Sequence, residues 1–165
     1  MKPVIPQLAD ITSLPPCLSV RVLPEYEDHN GHMNIRYYLA LFDDAGDNMA
    51  ASYGVTREFH RQHETGGFDL EHHLHYLHEV LIGDLVTVYA RIVARTAKRV
   101  HYLLFMVNES RGNVSAIFEC VNSFADMRHR RTAPFPPDIA AAIDATLRDH
   151  QALAWPAPVC GVMSA

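Results

Sequence analysis

The fold is decided by a polar stretch that runs directly into an apolar helix, Glu27-Asp28-His29-Asn30-Gly31-His32-Met33-Asn34-Ile35-Arg36-Tyr37-Tyr38. From Ile35 onward, apolar side chains recur at the 3.6-residue spacing of a helix, at Tyr38, Leu41, Phe42, Ala45, Met49 and Tyr53. The opposite side carries Arg36, Asp43 and Asp47. Gly54 is a suitable stop. The spacing predicts a helix of about five turns, buried along its broad apolar face.

Strand patterns dominate the rest of the chain. One short run precedes the helix and four alternating runs follow it, at residues 17–26, 68–80, 85–96, 98–108 and 113–127. Residues 55–67 are predicted as a polar loop, and residues 109–112 as a hairpin turn. A single antiparallel sheet of about five strands curled around the helix is the simplest way to bury it, so we predict an α+β fold. Free sheet edges predict pairing with a second copy, as a homodimer or homotetramer.

The 165 residues, 48% of them hydrophobic, are expected to form one domain. We predict an irregular N-terminal arm at 1–16, because four of the ten prolines lie there. The sheet and helix occupy 17–137. A C-terminal helix and tail follow at 138–165, with the helix starting near Pro137 and the last residues frayed.

Composition excludes several classes of protein. A net charge of -5 disfavours a nucleic-acid partner. There is no apolar run of the roughly 20 residues that cross a bilayer, and no continuous apolar signal segment at the start, so we expect a cytoplasmic protein with no membrane partner. Cys17, Cys120 and Cys160 form no Cys-x-x-Cys pair, which predicts reduced thiols. No phosphate-binding glycine loop is present, which leaves nucleotide hydrolysis and hydride transfer without support.

The polar stretch has a structural and a chemical interpretation. Asn34 is well placed to cap the helix, and Gly31 permits a backbone conformation closed to other residues. These roles leave Asp28 and His32 unexplained. Free N–H groups at a helix start stabilise a carbonyl oxygen that gains negative charge. A carboxylate in the same loop could then act as general base or nucleophile, an arrangement that suits acyl transfer.

The motif Asp28-x-x-Gly31-His32-Met33-Asn34, followed by two tyrosines and an apolar helix, resembles the Asp-x-x-Gly-His-Val/Met-Asn signature of the 4-hydroxybenzoyl-CoA thioesterase-like family. Members of that family have the hot-dog fold, a long helix wrapped by an antiparallel sheet. Residues 76–86 are similar to the family's second strand and Gly-Asp turn, and the resemblance covers residues 17–137. The signature often has a second Asn where this chain has Ile35, a departure that bears on the substrate.

The resemblance implies an acyl-CoA thioesterase that releases a free acid and CoA. The catalytic carboxylate falls on Asp28, and the N–H that polarises the carbonyl falls near Ile35, with Asn34 beside it. His32 is expected either to orient the loop or substrate or to make a purely structural hydrogen bond. No cofactor is implied, because CoA is part of the substrate, and the active site is expected at a subunit interface. The alternatives are a hot-dog enoyl-CoA hydratase or dehydratase and a non-catalytic acyl-CoA-binding protein.

Six histidines lie close together in the sequence, at His60, His63, His72, His73, His75 and His78. Strand alternation separates them: His73 and His75 share a face with Glu71, whereas His72 and His78 lie with Leu74 and Tyr76, so no metal site is predicted. The spacing Glu71-x-His73-x-x-Tyr76 is similar to a segment of the betainyl-CoA thioesterase branch linked to carnitine breakdown. That similarity implies that Glu71 and His73 position water or tune Asp28 of a partner. The alternative is a polar sheet face packed on a partner.

Membership of that branch would imply a betainyl group, which carries a quaternary ammonium. Aromatic rings suit such a cation, and candidates near the proposed site are Tyr37, Tyr38, Phe42 and Tyr76. The same spacing is typical of a helix core, and short or medium acyl groups and aryl groups remain alternative substrates. Cationic side chains that could meet the CoA phosphates are Arg91, Arg95, Lys98, Arg99 and the cluster at 128–131.

Overall fold

An antiparallel sheet and four α-helices form the fold of residues 4–165, which the computed structural model describes. Residues 1–3, part of the predicted arm, lie outside the described residues. In chain order the elements are α1 (Leu8–Thr12), β1 (Pro16–Arg21), a 3₁₀ turn (Pro24–Tyr26), α2 (Ile35–Ser52), α3 (Arg57–His63), β2 (Thr65–Tyr76), β3 (Leu85–Arg95), β4 (Arg99–Asn108), β5 (Asn113–Asp126), β6 (Arg131–Thr132) and α4 (Pro137–Gln151).

The sheet wraps around α2, as the sequence predicts. Its strand order is β1-β3-β4-β5-β2, and the two-residue β6 pairs with β5. Helix α2 buries the predicted stripe, Tyr38, Leu41, Phe42, Ala45 and Met49, against the inner face of the sheet. It ends at Ser52, and Gly54 follows with φ +97°, a conformation that favours glycine. The predicted α+β architecture of about five antiparallel strands around one long helix is therefore confirmed.

The segment predicted as a loop at 55–67 is partly regular. Thr56 caps α3 by accepting a 3.0 Å hydrogen bond from the Phe59 N–H. Strand β2 begins at Thr65 and passes through the two glycines, because pairing with β5 satisfies their backbone groups. Polar composition hid the helix, since α3 has no buried residue to produce a periodic pattern.

Strand β2 also contains an irregularity that the sequence does not reveal. Its register against β5 shifts between Asp69 and Glu71, so Leu70 is an extra residue. The extra residue reverses the alternation, so Phe68 and Leu74 lie on opposite faces, although an uninterrupted strand would place them on the same face. Leu74 pairs with the core residue Phe118, whereas both Phe68 and Leu70 are exposed.

The outer face of the sheet is covered by α1 and the C-terminal tail. The predicted arm contains one five-residue helix, and the last residues have no regular structure but pack against the sheet. Ile11 of α1 and Trp155 of the tail bury themselves in a second apolar cluster with Phe105 of β4. The buried Arg91 guanidinium donates to the Trp155 carbonyl at 2.8 Å and lies 4.1 Å from the centre of its ring. These contacts order the tail. The domain boundaries at 16/17 and 137/138 stay predictions.

Candidate active site

The polar loop before α2 is fixed by its own backbone. The Asp28 N–H donates to the His32 carbonyl at 2.9 Å, and the Gly31 N–H donates to the Asp28 carbonyl at 3.1 Å. Gly31 has φ +80°, so its position in this tight turn favours glycine. The Met33 N–H donates to the Val80 carbonyl at 2.8 Å, which ties the loop to the connection between β2 and β3. The loop therefore presents Asp28 in one orientation at the start of α2.

The Asp28 carboxylate is held between the Asn30 N–H and the His32 ring rather than facing bulk solvent. Its Oδ1 accepts from the Asn30 N–H at 2.7 Å, and its Oδ2 lies 3.3 Å from His32 Nδ1. Only 10% of the side chain is exposed. This partial desolvation acts to raise the pKa of Asp28, but the Asn30 N–H and the His32 ring outweigh it, and the pKa lies below its usual range. Asp28 is therefore ionised at neutral pH.

The first turn of α2 leaves a backbone donor free beside this loop. Asn34 caps the helix by accepting from the Arg36 N–H at 3.1 Å, so the predicted capping role is confirmed. The Ile35 N–H has no acceptor within residues 4–165, and the Ile35 side chain is 66% exposed. Since the helix dipole is positive at this end, the Ile35 N–H is suited to receive an oxygen with developing negative charge.

Two predicted substrate tyrosines meet at the helix start. The buried Tyr38 hydroxyl accepts from the Val80 N–H at 3.1 Å, and the Tyr76 ring lies edge-on to it at 5.1 Å. Burial raises the pKa of Tyr38, and the negative charges of Glu79 and Asp28 act in the same direction. Asp28, Tyr38 and Tyr76 are therefore close together.

Tyr37, the third predicted tyrosine, lies apart from that pair. It stacks on Tyr26 with ring centres 4.0 Å apart, and the Arg36 guanidinium lies 5.2 Å from its ring centre. Tyr37 thus supports the outer wall of the loop.

Glu71 and His73 do not join Asp28 within one chain. His73 pairs with Glu119, and Glu119 contacts His101 and the Cys160 N–H on the outer face of the sheet. Paired residues share a face, so Glu71 and His73 lie on the side of the sheet opposite α2. Their action on the Asp28 of a partner stays a prediction.

The six histidines that lie close together in the sequence do not form one cluster in the structure. His60 Nδ1 lies 2.9 Å from the Thr65 hydroxyl, and His78 Nδ1 lies 3.0 Å from the Val114 carbonyl. His78 follows the end of β2, so its predicted place on a strand face is wrong. Within residues 4–165, no group of three or more potential ligands is arranged to hold a metal.

A groove of about 790 Å³ runs along α2 on the inner side of the sheet. It starts at Arg36, and its walls include Phe42, Asp43, Asp69, Tyr102, Phe118 and Phe124. Arg36, Asp43 and Asp47, which the sequence places opposite the apolar stripe, line this groove. Burial raises the pKa of Asp43, and the charges of Asp47 and Asp69 add to the effect. Sequence reasoning missed Asp69 as a groove residue, because the extra residue in β2 determines which way it faces.

Three of the predicted phosphate-binding cations are engaged elsewhere. Arg91 is buried under Trp155, Arg95 pairs with Asp144, and Arg128 pairs with Glu64. Of the predicted cations, Lys98, Arg99, Arg130 and Arg131 are exposed and form no ion pair within residues 4–165. No helix in the described part of the chain is long and apolar enough to cross a membrane.

Comparison with known proteins identifies relatives of this chain. The model of the thioesterase-like superfamily matches residues 22–143. A betainyl-CoA thioesterase from Pseudomonas aeruginosa is 32% identical over 82% of this chain and 85% of its own length. An L-carnitine dehydrogenase/betainyl-CoA thioesterase from Rhizobium meliloti is 24% identical over 84% of this chain, which corresponds to 28% of that protein.

A solved structure agrees with the fold. A Staphylococcus aureus protein in complex with CoA superposes with a TM-score of 0.81 and 25% identity, over 92% of this chain and 96% of its own. These matches confirm the predicted hot-dog fold and the predicted enzyme class, a thioester hydrolase. The chain belongs to the thioesterase-like superfamily.

Proposed function

We propose that this chain hydrolyses the thioester of a small acyl-CoA, with Asp28 as general base or nucleophile and the Ile35 N–H as the donor to the carbonyl oxygen. The single observation that carries the proposal is the juxtaposition of an ionised, largely buried Asp28 carboxylate with a free helix N-terminus. A carboxylate that is fixed but not neutralised keeps its capacity to accept a proton. The helix start supplies stabilisation of the charge that develops on oxygen.

The general-base route balances without any cofactor. Asp28 accepts a proton from water as the water oxygen bonds to the thioester carbon, and the carbonyl oxygen becomes an anion beside the Ile35 N–H. The carbon–sulfur bond then breaks, and the CoA thiolate takes the proton held by Asp28, which gives CoA and a free acid and restores the Asp28 carboxylate. In the nucleophilic route a carboxylate oxygen of Asp28 attacks the thioester carbon and displaces the CoA thiolate to form a mixed anhydride. Water then hydrolyses the anhydride to the free acid and the Asp28 carboxylate, and the proton released goes to the thiolate. Asn34 keeps the helix start in place in both routes.

Betainyl-CoA is our proposed substrate. The relative with 32% identity is a betainyl-CoA thioesterase, and the ring pair of Tyr38 and Tyr76 lies at the helix start, where a quaternary ammonium next to the carbonyl would be placed. We propose that His32 orients the Asp28 carboxylate, since its ring is 3.3 Å from Oδ2. Tyr37 would act indirectly, by packing on Tyr26.

We also propose a homodimer with the active site at its interface. Strand β2 is an edge of the sheet and exposes Phe68 and Leu70, a surface that pairing with a second β2 would bury. The outer face is already covered by α1 and the tail, which favours a dimer over a tetramer assembled face to face. A cytoplasmic location fits three free cysteines that would stay reduced there.

A thiol-release assay over a panel of CoA esters, with betainyl-CoA included, tests the function. The variant Asp28→Asn keeps the shape of the side chain and an acceptor for the Asn30 N–H, so it should fold normally. Its kcat should fall by about 10³-fold, the usual contribution of a positioned base. Unchanged turnover would remove Asp28 from the mechanism. No turnover of any ester by the folded wild-type protein would refute the proposed activity.

A further inference from the structure

We propose that Glu79 selects acyl groups that carry a positive charge next to the reacting carbonyl, a role that rests on the proposed function. Glu79 lies in the connection between β2 and β3. Its neighbour Val80 is fully buried and hydrogen bonded on both sides, donating to the Tyr38 hydroxyl at 3.1 Å and accepting from the Met33 N–H at 2.8 Å. The backbone at Glu79 is therefore fixed against the start of α2.

The Glu79 carboxylate is exposed and forms no hydrogen bond or ion pair within residues 4–165. Its charge acts on the Tyr38 hydroxyl together with that of Asp28. Of the nearby cationic groups, His32 is engaged with Asp28, and the Arg36 guanidinium lies over Tyr37. Positions 36 and 38 are about 200° apart around a helix, so Arg36 projects away from Tyr38. The helix start thus keeps a negative charge that the chain itself does not neutralise.

Aromatic rings complete a site for a cation. Tyr38 and Tyr76 present two rings at right angles, and Tyr76 is half exposed. The faces of such rings attract quaternary ammonium groups, which cannot donate hydrogen bonds and are recognised by ring faces and carboxylates. A free carboxylate whose charge acts on Tyr38, the inner ring of this pair, matches this chemistry.

The short distance between the carbonyl carbon and the nitrogen of a betainyl group decides which carboxylate the cation can meet. In a betainyl group the nitrogen is two bonds from the carbonyl carbon, within about 3 Å for bonds near 1.5 Å. Asp43 lies eight residues after Ile35 in α2, which places it about 12 Å further along the helix axis. A cation two bonds from a carbonyl held at Ile35 cannot reach Asp43, but it lies at the end of the helix where Glu79 is fixed.

A pair of isosteric substrates tests the proposal directly. Betainyl-CoA and 3,3-dimethylbutyryl-CoA have the same shape, because a trimethylammonium replaces a tert-butyl group, and differ by one positive charge. We would measure kcat/KM for both esters with the wild-type protein, with Glu79→Gln and with the control Glu109→Gln. Glu109 lies in the hairpin turn between β4 and β5, and the Gln oxygen can still accept from the Tyr89 hydroxyl as Glu109 does.

The wild-type protein should prefer betainyl-CoA, and Glu79→Gln should lower the betainyl-to-dimethylbutyryl ratio about tenfold, as expected for one partly screened charge pair. In Glu79→Gln, kcat/KM for the neutral ester should stay the same. Glu109→Gln should leave kcat/KM for both esters unchanged. An unchanged ratio in Glu79→Gln, an equal loss for both esters, or a wild-type preference for the neutral ester would overturn the proposal while leaving the thioesterase activity intact. Failure of the wild-type protein to hydrolyse either ester would instead refute the proposed function, and this inference with it.

Discussion

Replacing Tyr38 by phenylalanine would remove a single hydroxyl from the joint between α2 and the β2–β3 connection. The hydroxyl is the acceptor for the Val80 N–H at 3.1 Å, and Val80 is fully buried. The phenylalanine ring would keep the edge-on contact with Tyr76, so packing should change little. The variant Tyr38→Phe therefore isolates the loss of one buried hydrogen bond.

The size of the loss in stability follows from the buried Val80 N–H, which Tyr38→Phe leaves without an acceptor. A buried N–H without an acceptor costs about 1–3 kcal/mol, so we expect the free energy of unfolding to fall by about 2 kcal/mol. That loss reduces the ratio of folded to unfolded protein about 30-fold. With a typical urea slope of about 2 kcal/mol per M, the unfolding midpoint should shift by about 1 M.

The neighbouring residue provides a matched control. Tyr37 stacks on Tyr26, and its hydroxyl has no hydrogen-bond partner within residues 4–165, so Tyr37→Phe should change stability by less than about 0.5 kcal/mol. Both variants would be unfolded in urea at one protein concentration, because dimerisation couples stability to concentration. If Tyr38→Phe were as stable as Tyr37→Phe, the Val80 N–H would have another acceptor, and the described joint would not hold the loop.

Three further predictions concern the cap, the outer face and pH. Asn34→Ala removes the helix cap, so the free energy of unfolding should fall by about 1 kcal/mol in urea, and kcat should fall as the helix start loosens. Glu119→Ala leaves His101 and the Cys160 N–H without their buried acceptor, and a thermal melt should show a loss of about 3 kcal/mol or more. The pKa of Asp28 is lower in the folded than in the unfolded protein, so its carboxylate stabilises the fold at pH values above the unfolded pKa. This stabilisation is lost as the pH falls through the folded pKa. kcat/KM should therefore stay level through weakly acidic pH and decline only below the usual range for an aspartate; a decline near pH 6 would contradict this assignment.

The fold was predictable where one physical signal dominated the sequence. The stripe from Tyr38 to Met49 predicts α2, because a buried helix must repeat its apolar residues every 3.6 positions. The cap at Asn34 was equally readable, since a side-chain acceptor before an apolar run has few other roles. Helix α3 escaped prediction because it buries nothing, so only its capping residue distinguishes it from a loop.

The loop that carries Asp28 was predictable from the sequence, but the residues that surround it in the structure were not. Gly31 and the residues around it interact locally, so their spacing carries the geometry. Glu79 carries no local signal, because its place beside Tyr38 arises from a contact between residues 42 positions apart in sequence. The direction of Asp69 was equally hidden, since an irregularity in pairing has no simple signature in the strand itself.

The surplus residue in β2 sets a limit on how this strand can change. Asp69, before Leu70, faces the groove, and Leu74 and Tyr76, after Leu70, face α2. In an uninterrupted strand the odd position 69 and the even positions 74 and 76 would lie on opposite sides. Deleting Leu70 would force one half of the strand to turn over, removing either the groove carboxylate or the tyrosine beside the helix start. In this edge strand the number of residues is therefore as constrained as their identity.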